Sequence, residues 1–137
     1  MKYSDVVEFI LHKHPKLNIY HESDGIVTAN GFSVDWSQQK NQVTYITYTD
    51  DITGFVENSI VIGSFIDEDV KTLALLHELG HHTSYQPEDD VVCKEKNAWV
   101  DCLGFMKELG IPFTGKLRKQ ISKWFSSYLN VYGTTKI

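Results

Sequence analysis

Apolar residues near the start of the chain recur at helical spacing. Val6, Val7, Ile10 and Leu11 share one side of a helix that Ser4 can cap and Pro15 ends. From Leu17 to Gly63 the period shortens to two. Runs rich in β-branched and aromatic residues alternate with turn signals at Asp24-Gly25, Asn30-Gly31, Ser37 to Gln42 and Asp50 to Gly54, a pattern that predicts three to five strands. Phe32, Val34 and Trp36 alternate as in a strand with one buried face, and Asn30-Gly31 ahead of them predicts a hairpin turn between antiparallel strands. Ser59 to Ile62 predicts one more strand, close to the helix that follows it.

The helical period returns near Asp67, whose carboxylate can cap a helix while Glu68 and Asp69 favour the positive end of its dipole; Pro87 stops it. With His77 as reference, Ile66, Val70, Leu73 and His81 fall within about 40°, and Leu75 and Leu79 fall on the opposite side. A helix apolar nearly all round belongs at the centre of a fold, here with one side on the sheet and the other on a cleft. A further helix runs from about Asp90 to Leu109, ended by Gly110 and Pro112, and a last one from about Thr114 to Asn130. Helix, sheet and then three helices predict an α+β arrangement with a small, mostly antiparallel sheet. A length of 137 residues predicts a single domain over residues 1–137.

Charge and cysteine usage narrow the function classes. A formal charge of −5 argues against a general nucleic-acid binder. The basic run Lys116, Arg118, Lys119 and Lys123 reads as a solvated helix face, since Arg118 is the chain's single arginine. No apolar stretch approaches the roughly 18 residues of a spanning helix, and Glu8, His12, Lys13 and His14 break the N-terminal segment, so neither anchor nor signal peptide is expected. Cys93 and Cys102 sit on one predicted helix, about 13 Å apart along its axis, too far for a disulfide. A reducing, cytoplasmic setting is expected.

The chemistry concentrates in His77-Glu78-Leu79-Gly80-His81, an H-E-x-x-H pattern on a predicted helix and a zinc-hydrolase signature. Imidazoles four residues apart face the same way and can share one tetrahedral metal, with Glu78 placed to act on its water. Catalytic zinc takes a third protein ligand. No histidine follows His82, and His82 projects about 140° from His77, so a downstream third ligand is a carboxylate. Glu95 sits in the middle of an apolar stripe formed by Val91, Val92, Ala98, Trp99, Cys102, Met106 and Leu109, whereas Asp101 and Glu108 face the side expected to meet water. A carboxylate on that stripe needs a partner: a metal, or failing that a buried salt bridge or the helix dipole. His12, His14 and His21 lack ligand spacing and read as surface residues.

The combination of that motif with Glu95-Lys96-Asn97-Ala98-Trp99 resembles the compact zincin domains of ImmA/IrrE-type metallopeptidases, most of all phage and mobile-element versions, over about residues 58 to 132. The N-terminal 57 residues have no counterpart in that likeness. The resemblance implies a zincin-like fold with the sheet packed on the motif helix, zinc held by His77, His81 and Glu95, and Glu78 as general base. It further implies a protein or peptide substrate, such as a regulator of a mobile element, in a bacterial cytoplasm. Backbone pairing along Ser59, Ile60, Val61 and Ile62 is a candidate mode of substrate binding. Tyr85, Tyr128 and Tyr132 are candidates for stabilising an oxyanion. The competing reading is a zincin-shaped interaction module with structural or vestigial zinc.

Overall fold

The computed structural model describes residues 2–21, 26–29, 32–35 and 43–132, the side chains of 26–29, 32–35, 48, 128 and 130–132 excepted. The elements follow as α1 (Tyr3–Lys13), β1 (Leu17–His21), β2 (Ile26–Ala29), β3 (Phe32–Asp35), β4 (Val43–Thr49), β5 (Val56–Ile62), α2 (Glu68–Ser84), α3 (Val91–Leu109) and α4 (Gly115–Tyr132). This is a small α+β fold. The chain divides into two compact units, Met1–Leu75 and Leu76–Ile137, and the division falls inside α2. Among the described residues no helix is long and apolar enough to cross a membrane.

In the first unit, α1 begins one residue before Ser4. The Asp5 carboxylate reaches back from the first turn to accept the Lys2 N–H at 3.2 Å, so Ser4 lies within the helix instead of capping it. Three strands form a mixed sheet in the order β1-β5-β4, with β1 parallel and β4 antiparallel to β5. Asp50 makes the β4–β5 turn by accepting from the Ile52 and Thr53 N–H groups, and Gly54 follows at φ 74°. A separate antiparallel pair, β2-β3, sets Ala29 opposite Phe32. Asn30-Gly31 between them, like Asp24-Gly25, Trp36 and Ser37 to Gln42, lies outside the described residues.

Val6, Ile10, Ile60, Ile62, Leu73 and Leu75 make the unit's core, each almost wholly withdrawn from water. His21 departs from its expected surface role, because Tyr3 on α1 meets its Nε2 with the phenol oxygen at 2.8 Å. Ile66 also departs from expectation and is fully exposed. Asp67 accepts from the Asp69 and Val70 N–H groups, so α2 starts after Ile66, and helical phase does not extend back to that residue.

The second unit consists of the remainder of α2 with α3 and α4. Asp90 caps α3 by accepting the Cys93 N–H at 2.8 Å, and Gly110 closes it in the left-handed conformation (φ 71°). Thr114 caps α4 through the Leu117 N–H. Leu76, Leu79, Ala98, Trp99, Cys102, Met106 and Leu117 form this core. Neither Cys93 nor Cys102 forms a disulfide, in keeping with their spacing.

Candidate metal centre

One turn of α2 carries His77, Glu78 and His81, and one turn of α3 carries the residues that meet them. Glu95 is 5% exposed, and its two carboxylate oxygens divide between the two imidazoles. Oε1 lies 2.8 Å from His77 Nε2, and Oε2 lies 2.9 Å from His81 Nε2. The Glu78 carboxylate shares the cluster: one donor atom each from His77, Glu78 and His81 falls within 4.8 Å of the others. Two carboxylates therefore neighbour the same imidazole pair. Glu95 makes direct contacts with both imidazoles, while the donors of His77, Glu78 and His81 are by themselves close enough to share one ion. His82 is half-buried and lies outside this cluster.

The helices come close because two small residues meet. A Cβ placed on Gly80 would collide with the Ala98 carbonyl oxygen and stand 3.0 Å from its carbonyl carbon, so only glycine allows α2 this close to the α3 backbone. A second tie lies one turn on, where Thr83 Oγ1 donates to Asp101 Oδ2 at 2.7 Å. Asp101 therefore does not simply face water, as its phase alone implied. Trp99 completes the turn, its indole stacked on the His77 ring with centroids 3.8 Å apart and planes 22° from parallel. Glu95, Ala98 and Trp99 share a face at i, i+3 and i+4, so one turn of α3 supplies a carboxylate, a backbone contact and a stacking plane.

Burial and mutual charge set the protonation of the cluster. Burial pushes the Glu78 carboxyl up to about 7, with a smaller upward push from Glu95 and an opposing one from His81. For Glu95 burial alone would raise the pKa, but hydrogen bonds from His77 and His81 outweigh it and hold the group down at about 2. Burial lowers the pKa of His77. In His81 the same penalty is overcome by the Glu95 hydrogen bond and the charges of Glu78 and Glu95, and the pKa rises. The cluster thus holds one firmly ionised carboxylate and another that exchanges its proton near neutrality.

The donor set fits a zinc-type dication. Two imidazole nitrogens and a carboxylate are ordinary zinc ligands, and bonds of about 2.0–2.1 Å in a tetrahedron set donors about 3.3 Å apart. Each of the two contacts, 2.8 and 2.9 Å, would lengthen by roughly half an ångström to reach that spacing. Burial adds to the fit, since a dication would neutralise carboxylate charge that is otherwise costly away from water.

The remaining candidates fare differently. Ser59, Ile60, Val61 and Ile62 cannot offer a free edge. β5 is the central strand, with Ser59 to Ile62 opposite Asn18 to His21 on β1 and opposite Ile46 to Val43 on β4. Both rows of backbone groups are committed to the sheet, which leaves no free edge on this strand for backbone pairing with a substrate. Tyr85 lies one residue beyond α2, so its projection cannot be taken from helical phase; it is 59% exposed, with the Lys94 ammonium 5.1 Å from its ring centroid. The Tyr128 and Tyr132 side chains lie outside the described residues. Comparison with family models, curated proteins and solved structures returns no match for this chain.

Proposed function

We propose that this protein is a small zinc-dependent endopeptidase with a zincin-like centre of the ImmA/IrrE type. His77, His81 and Glu95 would hold the metal, and Glu78 would serve as general acid–base. The observation that carries this reading is the convergence of both imidazole Nε2 atoms on the two oxygens of one buried carboxylate, beside a second carboxyl whose pKa is near neutral. When bound, zinc supplies a Lewis acid that polarises a peptide carbonyl and acidifies water.

The chain's own residues then divide the remaining work. Glu95 and the two imidazoles would hold the metal from two helices that meet closely at Gly80 and Ala98. Glu78, buried beside the two imidazoles, would take a proton from the attacking water and return it to the departing amine. A protein substrate, such as a regulator of a mobile element, suits this centre, acting in a bacterial cytoplasm. An interaction module without hydrolysis is the rival, and cleavage by the zinc-loaded wild type separates the two.

Glu78→Gln keeps the side chain's size and removes its capacity to carry the proton. The zinc-loaded variant should bind metal as the wild type does and lose at least about 100-fold in cleavage of a peptide-library or denatured-protein substrate that the wild type cuts. Equal cleavage by the two proteins would remove Glu78 from the mechanism. A wild type that binds zinc and cleaves nothing would favour the interaction module.

A further inference from the structure

Metal-bound histidines usually have their free ring nitrogen tied by a hydrogen bond to a carboxylate or carbonyl, which fixes the ring plane. His77 lacks this restraint: its Nδ1 is buried and has no hydrogen-bond partner among the described residues. What lies against its face is the indole of Trp99, 3.8 Å away and nearly parallel. Trp99 is 5% exposed and is itself stacked on Trp124 of α4, with centroids 5.9 Å apart and planes at 21°. The His81 and His77 rings form a T-shaped pair, with centroids 4.7 Å apart and planes at 72°. The stacked indole and the neighbouring His81 ring together restrict rotation of the imidazole, and so aim its Nε2 lone pair.

We propose that Trp99, braced by Trp124, is the positioning residue for His77 and replaces the hydrogen bond that other metal sites place on the free ring nitrogen. This rests on His77 being a metal ligand. Coordination draws positive charge onto an imidazole, and the electron-rich indole face attracts it, so Trp99 contributes to affinity as well as to orientation. Its spacing from Glu95 gives the inference a sequence correlate, since a ligand and the brace of another ligand sit one helical turn apart on α3.

Cobalt(II) alone is a suitable probe, because its visible absorption reports ligand geometry separately from affinity and without any substrate. Trp99→Leu should weaken cobalt binding about 10–100-fold, the range seen when outer-shell partners are lost, and should alter the absorption band. Trp99→Phe, which keeps an aromatic face, should bind within a few-fold of wild type with an unaltered band. Met106→Ala, also a core change in α3 but two turns from the site, should lower stability and leave affinity and band unchanged. Wild-type binding by Trp99→Leu, or an equal loss of affinity in Met106→Ala, would overturn the positioning role. Should Trp99→Leu not fold, Trp124→Leu takes its place: a few-fold loss with a shifted band supports the role, and an unchanged spectrum rejects it. A wild type that binds no cobalt would reject the metal site and the positioning role together. Cobalt binding by the wild type and its loss in Glu95→Ala, with Trp99→Leu unaffected, would reject the positioning role alone.

Discussion

On an exposed helix Gly80→Ala would stabilise the protein by about 1 kcal/mol, because alanine restricts the unfolded chain and favours helix. At this position the sign should reverse. The added methyl would strike the Ala98 carbonyl oxygen and stand 3.0 and 3.1 Å from the carbonyl carbon and Cα, all of them backbone atoms that cannot rotate away. Reaching ordinary carbon contact of about 3.5 Å requires α2 and α3 to part by about 1 Å, and overpacking of this kind costs roughly 1–3 kcal/mol. In a chain of this size each kcal/mol lowers Tm by about 3–5 °C. Glu95 lies one turn from Ala98, so the same shift would stretch its contacts with His77 and His81, now 2.8 and 2.9 Å, towards 4 Å. Urea unfolding with and without zinc, together with zinc affinity from chelator competition, reads both effects. Gly80→Ala should be less stable and bind zinc more weakly. A variant about 1 kcal/mol more stable than wild type, with undiminished zinc affinity, would refute the close approach of these helices.

In chelator, Glu78 should make metal-free stability depend on pH. Its pKa is raised by burial from 4.5 to about 7, so the folded state holds the proton more tightly; this contribution is complete below pH 4.5 and is lost as pH rises through 7, about 3 kcal/mol in all. Glu78→Gln should remove that loss, and identical stability–pH curves for the two proteins would contradict the burial. Glu95 acts in the opposite sense: held down at about 2, it stabilises the fold above pH 4.5 and ceases to do so as pH falls towards 2, so Glu95→Gln should flatten the acid limb of the same curve. Cys102 is buried, and burial pushes its thiol pKa up, whereas Cys93 is only half-buried. A thiol reagent should therefore label Cys93 first and reach Cys102 only on unfolding, and equal labelling rates would contradict the packing of α3.

Much of the second unit is legible in the sequence because its signals are local. Asp90 and Gly110 bound α3 by capping chemistry, and helical phase alone puts Glu95 on the buried face. What phase cannot supply is the partner. It groups Ala98 and Trp99 with Glu95, yet gives no sign that Ala98 receives Gly80 or that Trp99 lies on His77, since both contacts depend on how another helix crosses. Gly80 in particular reads as a mere loss of helix propensity until the opposing backbone is known. The same limit explains Ser59 to Ile62. A short apolar run marks a strand, but an edge and a centre are distinguished only by pairing with residues up to about forty positions away. His21 and Asp101 acquire partners 18 residues distant in sequence, beyond any helical or strand period.

The most direct test of the metal centre is zinc content and affinity measured side by side for wild type, Glu78→Gln and Glu95→Ala. Wild type and Glu78→Gln should each bind about one zinc per chain with similar affinity, and Glu95→Ala, deprived of a direct ligand, should lose more than about 100-fold. Undiminished zinc binding by Glu95→Ala would contradict the assignment of that carboxylate. Failure of the wild type to bind zinc would leave the His77–Glu95–His81 cluster as a buried ion network and refute the metal centre.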